Sequence, residues 1–292
     1  MVLIDGKHIA SVMKEEVKQE VAELAKLGVK PCLAIVQVGN DPASSIYVRN
    51  KKKLGEELGY DCKIIQLPEE TSEEQLIKLI RMLNVGFEVN GILVQLPLPK
   101  HINEEHILNK IEPIKDVDCF TYRNVATMWT AKKHEVNLKS CTPAACIELL
   151  KRYNIPISGK HVVIIGRSNI VGKPLACLAL LEDATVTVCH SRTQNLQEIC
   201  KTADILIVAI GKKHFVNKDF IKPGAVVIDV GINRDQNNKI CGDVNFEDVK
   251  DIVSAISPVP GGVGPMTVMI LMKNLIYITK EQQKLQNELM KE

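Results

Sequence analysis

No sign of charge prevails in this 292-residue chain: 37 Lys and Arg stand against 35 Asp and Glu, for a formal net charge of +2. With no long run of one sign, there is no footprint for wrapping a nucleic acid or gripping an anionic membrane. Aromatic residues are scarce, at 4% with a single Trp, so a base-stacking platform is not expected. No apolar run approaches the ~18 residues that a membrane span needs. The opening MVLIDGKHIA lacks the basic, apolar and small-residue zones of a signal peptide, and a soluble, cytoplasmic protein is expected. Nine cysteines are present, at 32, 62, 119, 141, 146, 177, 189, 200 and 241, with no Cys-x-x-Cys pair among them. Several, such as Cys32 and Cys189, lie inside apolar runs where a reduced thiol behaves as a small hydrophobe, so free buried thiols and no metal site are expected.

What is present is ordinary globular material, 46% hydrophobic and 25% charged, and the length suits two domains at about 100–200 residues each. An amphipathic run from Ile9 to Leu27 predicts a helix. Cys32–Val38 reads as a buried strand stopped by Gly39-Asn40-Asp41-Pro42. A helix from about Ser44, a strand near Cys62–Gln66, a helix over Ser72–Leu83 and a strand Gly91–Gln95 follow. Beyond a weakly patterned stretch at 121–140 come the strand His161–Ile165, a helix from about Pro174 to Leu181, and strands at Thr185–Cys189, Ile205–Ile210, Ala225–Val230 and Ile252–Ile256. An apolar helix from about Pro265 closes the chain, its tail polar and charged. Strand–helix alternation of this kind means parallel pairing with right-handed crossovers. The expected fold is α/β with two α/β domains, residues 1–140 with 270–292 and residues 141–269. The second domain is a Rossmann-like parallel sheet, and the C-terminal helix packs back on the first.

The strand ending at Ile165 runs directly into Gly166-Arg167-Ser168-Asn169-Ile170-Val171-Gly172-Lys173-Pro174. A strand, a glycine turn and a helix N-terminus can hold a pyrophosphate, because glycine admits close backbone approach and the helix start offers unpaired N–H groups. The spacing departs from Gly-x-Gly-x-x-Gly, so an ordinary βα loop stays open as an alternative. At the end of the next strand, where NAD enzymes place an acid for the ribose hydroxyls, the chain has His190-Ser191-Arg192-Thr193. A hydroxyl and a guanidinium there suit a 2′-phosphate, with Arg167 as a second positive group, and favour NADP over NAD. Farther on, Asp229-Val230-Gly231-Ile232-Asn233 follows a strand, where backbone could meet the nicotinamide amide.

Tyr47 and Lys51 are four residues apart and share a helix face with Leu54 and Leu58. A lysine on an apolar stripe either snorkels to solvent or is held desolvated for acid–base chemistry. Gln95 ends a buried strand, and Pro97 and Pro99 stiffen the exit. Lys115-Asp116-Val117-Asp118 would send both acids to one side of an extended segment. Pro258 through Pro265 is a glycine- and proline-dense loop that lets a flat ligand lie against the backbone.

Together Tyr47-x-x-x-Lys51, Val94-Gln-Leu-Pro-Leu-Pro99, Lys115-Asp-Val-Asp118, Cys141-Thr-Pro143, Gly166-Arg-Ser168, Cys189-His-Ser191 and Pro258 through Thr267 cover nearly the whole chain. They resemble the bifunctional methylenetetrahydrofolate dehydrogenase/methenyltetrahydrofolate cyclohydrolase family. The resemblance implies one site serving two successive reactions. These are NADP-dependent oxidation of 5,10-methylenetetrahydrofolate to the methenyl form and its hydrolysis to 10-formyltetrahydrofolate, in one-carbon metabolism. It further implies Lys51 as general acid/base, Tyr47 stacked on the folate, Gln95 tuning the lysine and Asp118 anchoring the pterin. Val94, Leu96 and the Pro260-Gly261-Gly262-Val263-Gly264 backbone would line the folate pocket. Gly166, Arg167, Ser168, Ser191 and Ile232 would contact NADP. A homodimer formed through the cofactor domains is also implied, with folate substrates and with neither nucleic acid nor membrane as partner. Two residues depart from the family pattern: Cys119 and Ala145 stand where glycine is usual. A positive φ at Cys119 would carry strain and could displace Asp118. The rival readings are a monofunctional NAD-dependent dehydrogenase, disfavoured by Arg192 and the missing acid, and a nucleotide sensor without turnover, disfavoured by the Tyr47/Lys51/Gln95/Asp118 set.

Overall fold

Seven consecutive residues with no polar face for solvent can satisfy their backbone only inside a sheet covered on both sides, and Cys32–Val38 is buried at every position. The computed structural model describes residues 1–290. Along the chain its elements are β1 (Val2–Leu3), α1 (Gly6–Lys26), β2 (Cys32–Val38), α2 (Pro42–Leu58), β3 (Asp61–Leu67), α3 (Glu73–Val85), β4 (Gly91–Val94), α4 (Glu104–Leu108), α5 (Tyr122–Thr130) and α6 (Cys141–Arg152). There follow β5 (His161–Ile165), α7 (Gly172–Leu181), β6 (Thr185–Cys189), α8 (Leu196–Cys200), β7 (Ile205–Val208), β8 (Val226–Asp229), β9 (Asn233–Arg234), β10 (Ile240–Cys241), α9 (Phe246–Val249), β11 (Ala255–Ile256) and α10 (Val263–Leu289). They form two compact units. One comprises residues 13–130, 136–139 and the chain from residue 271; the other comprises residues 1–12, 131–135 and 140–270.

The first unit is built on a three-stranded sheet in the order β3-β2-β4, parallel throughout, with Ile35 opposite Ile64 and Leu93. Ala34, Val36, Ile92 and Val94 pack with Leu76 and Ile80 of α3 and with Ile107 and Leu108 of α4 in one buried cluster. Each such Ile or Leu contributes about 1.5–3 kcal/mol by leaving water. Helix α3 begins at a capping box: the Ser72 hydroxyl accepts from Gln75 N–H, and the Gln75 side chain accepts from Ser72 N–H. Helix α10, from residue 271 onward, belongs to this unit. The Tyr60 hydroxyl donates to the Met272 carbonyl, and the buried Asn274 amide donates to the Val117 and Lys139 carbonyls, each at 2.8 Å. Gln282 donates to the Asn90 and Ile114 carbonyls. These polar anchors fix the register of a helix whose apolar face alone would tolerate sliding.

The second unit carries a six-stranded sheet in the order β1-β11-β8-β7-β5-β6, all neighbours parallel. Strand β6 lies on one side of β5 and β7 on the other, so the direction of winding reverses between β5 and β7. Ligands of such sheets bind outside the carboxyl ends of the strands at that reversal. All nine cysteines carry free thiols, seven of them buried. Among the described residues, no helix is long and apolar enough to cross a membrane.

Replacing Asn274 by Ala leaves the Val117 and Lys139 carbonyls without these donors inside the protein. A loss of about 2–3 kcal/mol is expected. Urea unfolding of the purified variant measures it, and a change below about 0.5 kcal/mol would contradict the anchoring role.

Candidate active site

Strand β2 is the central strand of its sheet, and its Val36 carbonyl accepts from Gln95 N–H at 2.8 Å, which carries the ladder one residue beyond β4. Gln95 therefore stands at the carboxyl edge of the sheet. Its side-chain N–H donates to the Leu96 carbonyl at 2.6 Å, leaving the amide oxygen to accept from the Lys51 amine at 3.0 Å. Lys51 is half-buried on α2, one turn after Tyr47, which is 41% exposed. Helix α2 is started by Asp41, whose carboxylate accepts from Ser44 N–H at 2.7 Å. The buried Gln37 of β2 donates to the Ser45 hydroxyl. The strand thus holds the helix that carries the lysine. Val94 is buried at the end of β4 and Leu96 is half-buried beside Gln95.

Asp118 is half-buried, whereas Asp116 is taken wholly into the fold. One oxygen of Asp116 accepts from Thr121 N–H at 2.8 Å and from the Asn124 amide at 3.0 Å. Burial pushes the Asp116 carboxyl above the usual carboxylate range, and these donors pull against it. Asp116 also bridges Ile92 of β4, and Cys119 N–H donates to its carbonyl. The segment is therefore a turn clamped at Asp116, not the extended stretch that would send both acids to one side.

In the second unit, Gly166 follows β5 with φ +132°, and a Cβ there would lie 2.3 Å from the Ala209 carbonyl oxygen of the loop after β7. The turn can close only without a side chain. Arg167 and Ser168 are exposed, and the Ser168 hydroxyl accepts from Val171 and Gly172 N–H at the start of α7. Ser191 and Arg192 form the exposed tip of a turn closed by reciprocal bonds between His190 and Thr193. His190 Nδ1 accepts from Arg192 N–H at 3.1 Å. Ile232 is 52% exposed just past β8. In the Pro260–Gly264 segment, whose last two residues already open α10, the Gly261 carbonyl accepts from Lys7 N–H, Gly262 and Val263 are buried, and Pro260 and Gly264 face solvent.

In this unit the sequence names Asp229 only as the head of a stretch that follows a strand, and gives Asp243 no place at all. Asp229 and Asp243 are buried, and between them accept seven hydrogen bonds from N–H groups of the loops after β7 and β8 and of the Asp243-Val244 backbone. Asp243 lies past a short β9–β10 hairpin, where hydropathy has no period; the only signal was an acid bracketed by Gly242 and Val244.

The family description "Tetrahydrofolate dehydrogenase/cyclohydrolase, catalytic domain" matches residues 4–118, and "Tetrahydrofolate dehydrogenase/cyclohydrolase, NAD(P)-binding domain" matches residues 140–283. The bifunctional protein FolD of Agathobacter rectalis is 56% identical over 95% of this chain and 99% of its own. The chain belongs to the tetrahydrofolate dehydrogenase/cyclohydrolase family. Among solved structures, the bifunctional FolD enzyme of Campylobacter jejuni superposes with a TM-score of 0.94 at 44% identity, covering 97% of this chain and 99% of that one. The FolD of Trypanosoma brucei, complexed with NADP cofactor and inhibitor, superposes with a TM-score of 0.92 at 37% identity, covering 97% and 98%.

This member of the tetrahydrofolate dehydrogenase/cyclohydrolase family is therefore an enzyme with a catalytic and an NAD(P)-binding domain. Its two departures from the expected glycines have different consequences. Ala145 is fully buried inside α6, where alanine is the best helix former. Cys119 does adopt a positive φ, +58°, and is completely buried, its thiol 3.8 Å from the Leu138 carbonyl.

Burial pushes the Asp229 carboxyl up to about 7; the N–H groups of Val244, Asp243 and Gly231 oppose the rise and the Asp243 charge adds to it. A carboxyl raised from 3.8 in the unfolded chain keeps its proton in the folded state while the unfolded chain has lost it. Stability from this group is therefore lost as pH rises from about 4 to about 7 and is level beyond. The unfolding free energy of wild type should fall relative to that of Asp229→Asn as pH rises across that range. A wild type that gains on the variant would contradict the assignment.

Proposed function

We propose that this chain oxidises 5,10-methylenetetrahydrofolate to 5,10-methenyltetrahydrofolate with NADP and hydrolyses the product to 10-formyltetrahydrofolate. The observation that carries the reading is the Lys51 amine hydrogen-bonded to the Gln95 oxygen at the edge of a buried parallel sheet, in a chain of this family. The residues of the Gly166 turn fit a dinucleotide. The backbone is stripped of Cβ where it must pass close, and exposed Arg167, Ser168, Ser191 and Arg192 supply donors that suit a 2′-phosphate. When bound, NADP accepts the hydride from the one-carbon bridge of the folate.

The protein's part in that oxidation is alignment, which is an entropic contribution. Tyr47 offers a flat, partly exposed ring for the pterin, Asp118 an acceptor for its N–H groups, and Val94, Leu96 and Pro260-Gly261-Gly262-Val263-Gly264 line the folate. Gly166, Arg167, Ser168, Ser191 and Ile232 hold the dinucleotide. Hydrolysis asks more of the side chains. Water adding to the methenyl carbon must lose a proton, and the departing ring nitrogen must gain one. Lys51 performs both transfers, and Gln95, its amide locked by the Leu96 carbonyl, keeps the amine directed at the reacting carbon. No step calls for a metal. In the cell we place the enzyme in the cytoplasm as a homodimer of one-carbon metabolism, with residues 1–140 and 270–292 as the folate-binding catalytic domain and 141–269 as the NADP-binding domain.

Lys51→Met should abolish hydrolysis of methenyltetrahydrofolate, followed by loss of its absorbance, while NADP binding stays within about 2-fold of wild type. Unchanged turnover removes the lysine from its role. For the cofactor, Arg167→Ala or Ser191→Ala should weaken NADP by about 10–100-fold, the worth of one charge-assisted hydrogen bond. Binding of NAD should change little, and equal losses for both would refute the 2′-phosphate contact.

A further inference from the structure

Two buried acids occupy the carboxyl side of the six-stranded sheet. Asp243 is completely buried and Asp229 nearly so. One Asp243 oxygen accepts from Ile210 N–H at 2.7 Å and Gly211 N–H at 3.0 Å; the other accepts from Lys212 N–H at 2.7 Å and the Asn233 amide at 2.9 Å. Three consecutive backbone N–H groups therefore curl around one carboxylate, as a nest curls around an anion. The turn they form follows β7, at the reversal of the sheet, and Asn233 belongs to the turn after β8 that presents Ile232. Asp229 completes the lock: its oxygens accept from Gly231, Asp243 and Val244 N–H at 2.8–3.0 Å.

The fit is close enough to dictate the neighbours. A Cβ on Gly231 would lie 2.2 Å from the Asp243 carboxyl carbon, and one on Gly242 would lie 1.8 Å from an Asp229 oxygen. Among the described residues, no Lys or Arg side chain pairs with either acid. Burying two acidic side chains is expensive, and apolar packing of equal volume would hold the fold as well or better. What an apolar side chain cannot do is dictate the direction of four donors at once.

We propose that Asp243 is a positioning residue for the hydride-transfer half of the reaction, clamping the Ile210–Lys212 turn to the Gly231–Asn233 turn in the geometry that the dinucleotide requires. This rests on the NADP reading above. The carboxylate itself touches no ligand. It acts through the two turns, whose backbone N–H groups it turns inward so that their outward edge faces the bound nucleotide.

Asp243→Asn keeps the size but replaces one acceptor oxygen by an NH2 that opposes the incoming N–H groups. Titration calorimetry with NADP should show at least a 10-fold weaker affinity, and the KM for NADP should rise in step. Hydrolysis of methenyltetrahydrofolate, assayed without cofactor, should stay within 2-fold in both kcat and KM. If the Asp243→Asn protein fails to fold, Asn233→Ala, which deletes one donor of the four, should still weaken NADP about 3–10-fold. NADP affinity unchanged in the folded variant overturns the proposal, as does a parallel fall of cyclohydrolase activity, which a merely structural role would produce. A wild-type protein that binds no NADP overturns the cofactor reading together with it.

Discussion

The Lys51–Gln95 hydrogen bond is the constraint around which the catalytic unit is arranged. A lysine tethered by a flexible four-carbon stem is a poor proton shuttle unless something fixes its direction. Here the fixing group is an amide whose own orientation is set by its second bond, to the Leu96 carbonyl, and whose backbone continues a buried parallel ladder. The chain of restraint runs from sheet to strand end, from strand end to amide, and from amide to amine. Displacing β4 by one residue would reverse the side to which Gln95 points and break the pair.

The same economy operates in the other unit, where parallel strands deliver their carboxyl ends to one edge. At the reversal between β5 and β7, loops arriving from two strands must share little space, and the missing Cβ of Gly166 is what lets the Ala209 carbonyl approach. Backbone does the close work, and at the exposed rim Arg167 and Arg192 carry positive charge and Ser191 a hydroxyl. Such an arrangement separates two properties of the site. Shape is built into the sheet and its glycines, while in the proposed function the preference between phosphorylated and unphosphorylated cofactors hangs on side chains that can vary without disturbing the core.

Much of this was legible in the sequence because the physical periods are strong. Apolar runs such as Cys32–Val38, His161–Ile165 and Thr185–Cys189 coincide with strands end for end, and the α/β class follows from their alternation with helices. Short elements were not legible. Strand β1 owes its existence to pairing with β11, some 250 residues away, and the β9–β10 hairpin has two residues a side. Helix α5 lay in a stretch with weak pattern, since only Met128 of it is buried. In the candidate site, Tyr47, Lys51 and Gln95 could be read as candidates because helix spacing and strand ends are local properties. Asp116 and Asp243 could not, because their task is defined by N–H groups elsewhere in the chain, and a buried acid reads as a surface acid until its partners are seen.

The two glycine positions filled by other residues show how much a fold can absorb. Alanine inside α6 costs nothing in backbone terms, because the helix places Ala145 at an ordinary negative φ. Cys119 is held in the left-handed region, at an expense of about 1–2 kcal/mol relative to glycine. What holds it there is the clamp on either side: Asp116 receives the Cys119 N–H at its carbonyl and the Thr121 N–H at its carboxylate, so the turn is closed whichever residue sits at its apex. The thiol, wholly withdrawn from water, recovers part of the expense through burial. The turn that carries Asp118 is therefore held not by a relaxed apex residue but by the fully buried acid two positions before it, which fixes both arms of the turn.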